Sequence, residues 1–131
     1  MRSLILTYLE ANKSSGFGVS QNLPFDQNGS ALYLQNLKQL YVDNPSTEQE
    51  PLYDTLDDLS LVSETTIVNI YVVTDAKTLP SNYEAMVATV KAVRTLSTIQ
   101  GYTTKRCNVS TSYANGDQLV TQFEIRFTNI I

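Results

Sequence analysis

Residues 66–74, Thr-Ile-Val-Asn-Ile-Tyr-Val-Val-Thr, constrain this chain more than any other segment. They are rich in β-branched side chains and apolar at both odd and even positions. A strand buried on one face alternates apolar and polar residues. One that is apolar on both parities belongs at the centre of a sheet covered on both sides. The run is far short of the roughly 20 residues that a membrane-spanning helix needs, and no other stretch comes closer to that length. The expectation is a sheet built around this strand, with no membrane partner.

Two segments carry a helical rather than a strand period. Ser3 to Asn12 sets Ile5, Tyr8 and Leu9 on one face, with Ser3 available as N-cap and Gly16 as a stop signal beyond it. After Leu79-Pro80, the run Ser81-Asn82-Tyr83-Glu84 has capping-box spacing and predicts a helix start. Tyr83, Met86, Val87, Val90, Val93 and Leu96 form its core stripe, and Gly101 follows its end. Lys91 and Arg94 lie off that stripe, close to the C-terminus, where cations favour the helix dipole.

Between these lie less regular pieces. Residues 16–30 are rich in Gly, Asn, Gln and Ser and read as loop, with an extended piece at Phe17 to Ser20. Ala31 to Val42 fits two periods: Tyr33, Leu37, Leu40 and Tyr41 make a helical stripe, while Leu32, Leu34, Leu40 and Val42 suit one strand face. The strand is the favoured reading. Asp43 to Asp58 holds Pro45, Pro51 and a run of carboxylates, which marks a projecting acidic excursion with extended pieces of its own.

The last thirty residues predict a hairpin whose register follows from parity. Cys107, Val109 and Tyr113 share one face, and Leu119, Phe123, Ile125 and Phe127 share another that only Thr121 interrupts. A two-residue Asn115-Gly116 turn puts Val109 opposite Gln122 and turns these faces apart. A three-residue loop of Ala114, Asn115 and Gly116 instead sets Val109 opposite Thr121 and Cys107 opposite Phe123, with glycine in the left-handed position of a bulged turn. The class is therefore α+β: a mostly antiparallel sheet with two main helices packed on it, a protruding acidic excursion and a C-terminal β-hairpin. At 131 residues and 42% apolar content, the chain is one domain, residues 1–131, with a sizeable core.

Composition excludes more chemistry than it suggests. The chain has no histidine and a single cysteine, Cys107, so the usual activating base, the commonest zinc ligand and any internal disulfide are missing. Gly16 and Gly18 lack the third glycine and the lysine of a phosphate loop. Nine basic against thirteen acidic side chains give a net charge of −4, the wrong sign for a phosphate-backbone binder. The opening Met1 to Leu9 lacks the small-residue cleavage pattern of a secretion signal, so assembly in the cytoplasm is the expectation. Neither catalysis nor a cofactor is expected.

What remains is the charge layout. Between Lys38 and Lys77 there is no basic residue, but there are Asp43, Glu48, Glu50, Asp54, Asp57, Asp58, Glu64 and Asp75. Between Glu84 and Asp117 there is no acidic residue, but there are Lys91, Arg94, Lys105 and Arg106. Opposite patches on one molecule attract copies head to tail, and such heterologous contacts close into a ring when the rotation permits. Asp54, Asp57 and Asp58 on one copy and Lys91, Arg94, Lys105 and Arg106 on the next are the interface candidates. The alternatives are solvated charge, or a small-ligand or metal-binding module. The latter has oxygen donors in Asp54, Asp57 and Asp58 but not the glycine and closing glutamate of a calcium loop.

In order of elements the chain resembles the tail terminator and tail-completion proteins of long-tailed bacteriophages. The matching features are the Ser3 to Asn12 helix, the strand Thr66 to Asp75, the helix from Ser81 and the closing Gln-Phe-Glu-Ile-Arg-Phe of Gln122 to Phe127. The resemblance implies a virion tail protein that forms a hexameric ring. It implies binding to the last ring of tail tube protein, an end to tube growth, and a surface for the head-tail connector or neck protein. A tail-to-head joining or neck adaptor is the neighbouring reading.

Overall fold

In the computed structural model, residues 1–20, 39–51, 62–77, 79–114 and 118–130 are described. The long apolar run is the middle of a fourteen-residue strand, β4 (Val62–Asp75). Its first face carries Val68, Ile70 and Val72, all fully buried. On its second face Ile67 and Val73 are buried, while Asn69 and Tyr71 between them are only partly covered. Side chains are thus buried on both faces of β4, more completely on the first than on the second.

The other strands are ordered by β4. Along one side run β2 (Gln39–Val42) and β3 (Ser46–Pro51), both antiparallel to it. Val42 stands opposite Ile70, and Ser46 opposite Ile67, so four steps on this side face three on β4. The extra residue is a bulge spanning Asp43 to Pro45, where a proline without an N–H is tolerated. Asp43 still donates its N–H to the Asn69 carbonyl at 2.9 Å. The strand reading of Ala31 to Val42 holds for residues 39–42, and the rest of it lies outside the described residues. There, Leu40 and Val42 are fully buried on the first face. β1 (Gly18–Ser20), the extended piece after Phe17, adds in parallel to the outer side of β2.

On the other side of β4 lies β6 (Gln118–Ile130), and beyond it β5 (Thr104–Ala114), which forms the sheet margin. These two form the C-terminal hairpin, but its register differs from the expected one by two residues. Ala114 pairs with Gln118, Val109 with Phe123 and Cys107 with Ile125. Three residues join the strands, so the parity argument stands, but they are residues 115–117 rather than 114–116. The expected glycine geometry at Gly116 lies outside the described residues. Val109 gains more apolar contact opposite Phe123 than it would opposite Thr121, which the sliding pattern alone did not weigh.

Both helices cover the first face. α1 (Arg2–Asn12) contributes Ile5 and Leu9 to the core, and α2 (Tyr83–Lys91), continued by a 3-10 turn (Ala92–Thr95), contributes Met86, Val90 and Val93. Neither helix uses its expected cap. Residue 2 is already helical and Ser3 offers no cap, its carbonyl instead accepting the Thr7 hydroxyl. Arg2 reaches across to donate to the Val42 carbonyl at 2.7 and 3.1 Å, tying the start of α1 to the end of β2. At α2 the N-cap is Asn82, and no side-chain capping bond forms, so the Ser81/Glu84 box is not made. The Asn82 amide instead donates to the Ser15 carbonyl at 3.0 Å, fastening the start of α2 to the turn after α1. That turn uses Gly16 at φ 87, and Gly101 at φ 89 ends the segment after the 3-10 turn.

The two helices are also tied to each other and to the sheet. The Tyr8 hydroxyl donates to the Thr89 carbonyl at 3.2 Å. The Tyr83 and Thr121 hydroxyls share a bond of 2.7 Å, which explains the single polar interruption in the apolar face of β6. Phe123, Ile125 and Phe127 on that face are fully buried, with Tyr102 against Phe127 at a ring separation of 5.4 Å. Among the described residues, no helix is long and apolar enough to cross a membrane.

Phe123 sits where β6 meets both β4 and β5, and its truncation leaves a cavity that fixed backbones on both sides cannot close. Phe123→Ala is expected to lower unfolding stability by about 3–5 kcal/mol, read from urea denaturation. Val120→Ala, half-buried on the second face, is expected to cost less than about 1.5 kcal/mol in the same experiment.

Candidate interaction surface

The strand order places two strands, β4 and β6, between the two charged segments. β3, the described part of the acidic excursion, has β4 as its only described strand neighbour, and Ser46 to Glu50 are all exposed. β5 has only β6, and every residue from Asn108 to Tyr113 is exposed. One margin of the sheet is therefore acidic and the opposite margin is basic. Tyr113 at 73% exposure and Val109 at 43% are the large apolar side chains left open on β5.

Side-chain parity divides the charges again. Glu48 pairs with Thr65 and Glu50 with Ser63, which puts both carboxylates on the second face. Arg106 also lies on the second face, directly opposite Arg126. Arg126 is taken by Glu124, its Nε donating to Oε1 at 2.7 Å. That ion pair, with Glu48 and Glu50 nearby, pushes the Arg126 guanidinium further above its ordinary range. Arg106 has an arginine across the ladder and no ion pair among the described residues, an arrangement that is mildly repulsive.

The other cations belong to the first face or its margin. Lys91 is in the last turn of α2 and Arg94 in the 3-10 turn, both exposed and off the core stripe, as their spacing predicts. Together with Cys107 and Val109 of β5 they line a shallow cleft of about 230 Å³. Lys105 is committed elsewhere: its ammonium donates to the Ile99 carbonyl at 2.8 Å and holds the loop after the 3-10 turn onto β5. The four basic candidates thus divide into a Lys91/Arg94 pair, a structural Lys105 and an isolated Arg106 on the far face. Asp54, Asp57 and Asp58 lie outside the described residues.

Half-burial pushes the Cys107 thiol above its ordinary range, and the nearby charges of Arg94 and Lys91 offset part of that rise. Such a thiol is mainly neutral at pH 7 and is a weak nucleophile. Tyr71 is raised by burial and then by Asp43 and Glu124, and Tyr41 by burial. These are packing effects. Among the described residues, no group of three or more Cys, Asp or Glu is gathered in a way that could hold a metal ion.

Sequence reasoning missed the margin position of β3. The signal was present: Glu48-Gln49-Glu50 alternates with the strand period and ends in Pro51, a combination suited to a sheet edge. Clustering along the chain also overstated the basic patch, because adjacent residues in a strand point to opposite faces. The sequence matches no family model and no curated protein.

Alkylation of Cys107 by iodoacetamide, followed against pH, is expected to show a midpoint above that of a free thiol. Lys91→Gln with Arg94→Gln removes the two charges that favour the thiolate, so the midpoint is expected to move further up. An unchanged midpoint would separate the cleft cations from the thiol.

Proposed function

We propose that this chain is a structural subunit of a bacteriophage tail, of the tail-terminator type, which assembles with copies of itself into a six-fold ring. The ring caps the tail tube, ends its polymerisation and offers its other side to the head-tail connector or neck protein. It works by binding, without catalysis or cofactor, in the virion tail, after assembly in the host cytoplasm.

The observation that carries this reading is the separation of charge across the sheet. Acidic β3 and basic β5 lie on opposite margins of one rigid layer, so neither can neutralise the other within a single copy. A second copy, set side by side, brings the two margins together. Repetition of a heterologous contact of this kind gives a ring or a filament. Exposed ion pairs contribute only about 0–1 kcal/mol each, so the charges set orientation and encounter rate while Tyr113, Val109 and the strand margins supply contact. The element order of helix, strands, helix on the sheet and closing hairpin agrees with the resemblance read in the sequence.

Light scattering of the purified protein tests the reading, with six-fold annuli in negative stain as the expected image. Lys91→Glu with Arg94→Glu is expected to weaken association at least about tenfold, the effect of roughly 1.4 kcal/mol. An unchanged mass distribution removes that pair from the interface. In tails assembled without the protein, overlong tubes are expected; tubes of normal length that fail to join heads would point to a neck adaptor instead.

A further inference from the structure

Resting on that self-assembly, we infer the form of the contact: β3 of one copy pairs with β5 of the next as adjacent antiparallel strands, so that one sheet continues from copy to copy. Four observations converge on it. First, both strands have an exposed margin, and a row of backbone N–H and C=O groups at a margin is a template for another strand. β5 offers eleven residues with no proline and no bulge against β6. β3 offers six, with its outer side open among the described residues, while β1 occupies the outer side of β2 at the level of Gln39 to Tyr41, so the joint is confined to the stretch of β5 that faces β3, residues 104–108.

Second, the directions agree. β3 is antiparallel to β4, β4 to β6, and β6 to β5, so directions alternate across the four strands. An even number of alternating strands means that β5 of one copy and β3 of the next run in opposite directions when the two sheets lie side by side in the same orientation. The joint then repeats the pairing used inside each copy. Two β5 margins or two β3 margins could also pair antiparallel, about a two-fold axis normal to the sheet, but only the β3–β5 joint brings carboxylates to Arg106.

Third, the charges meet on one face. Glu48 and Glu50 are on the second face of the sheet and so is Arg106, whose own neighbour across the ladder is Arg126. A continuous sheet keeps second faces together, and the carboxylates of one copy then supply the counter-charge that Arg106 lacks in its own. Fourth, the parity that achieves this also fixes the first face. With Arg106 opposite Glu48, Cys107 stands opposite Thr47 and Lys105 opposite Gln49, so no like charges meet directly across the joint.

The single native thiol makes the register testable. In Thr47→Cys, mild oxidation with copper phenanthroline is expected to join the introduced thiol of one copy to Cys107 of the next, giving a ladder of covalent oligomers that reductant collapses. The ladder is expected to vanish in Thr47→Cys with Cys107→Ser, and to be absent in Glu48→Cys, whose thiol points to the other face. Light scattering on the same samples separates the two levels of the argument. Association without a Thr47→Cys ladder overturns the strand pairing and leaves the ring reading in place. Monomers without a ladder overturn both. As a second measure, Arg106→Glu and Glu48→Arg are each expected to reduce association, and the double exchange to restore it. Failure of the double exchange to recover mass, with both single variants folded, counts against the joint.

Discussion

The fold depends on β4 having a strand on each side and buried side chains on each face. Its first-face side chains Val68, Ile70 and Val72 meet Ile125, Phe123 and Thr121 across the ladder to β6. Ile70 and Val72 also meet Val42 and Leu40 across the ladder to β2. The register is held by the alternating partner, because a slip of one residue in β6 would turn Phe123, Ile125 and Phe127 away from the first face. The helices follow from it. α1 and α2 must both lie on the first face, where Ile5, Leu9, Met86, Val90 and Val93 close the core.

Hydrogen bonds refine this arrangement at the places where packing would otherwise strand polar groups. At the end of β2 the Val42 carbonyl accepts from Arg2. Thr121 interrupts an apolar face, and the Tyr83 hydroxyl satisfies it. Asn82 forgoes a capping bond to fasten two loops together. In the first two cases a half-buried polar atom finds its partner on an element distant in sequence, because leaving it without one costs more than the bond itself contributes.

The elements of the fold were largely legible in the residues, but their pairing beyond the hairpin was not. The central strand, both helices, the extended piece before residue 20 and the hairpin all follow from apolar period and turn chemistry. The errors have a common cause. Ser3 and the Ser81/Glu84 box are sound local caps, but Arg2 and Asn82 make tertiary bonds that set the helix starts elsewhere. The hairpin slipped by two because a shift of two preserves every face, so only the contacts of Val109 and Cys107 with particular partners distinguish the registers. The candidate surface was legible as charge blocks and illegible as geometry. Lys105 and Arg106 are neighbours in the chain, but one holds the Ile99 carbonyl and the other stands on the opposite face.

The sequence by itself determined which segments are strands and helices and which side chains lie inside, because period and apolarity act between near neighbours along the chain. Only the tertiary structure decided that the acidic and basic segments occupy opposite margins of one sheet. Strand order is set by pairings between residues far apart in sequence, and no local pattern records which strand is left at the edge.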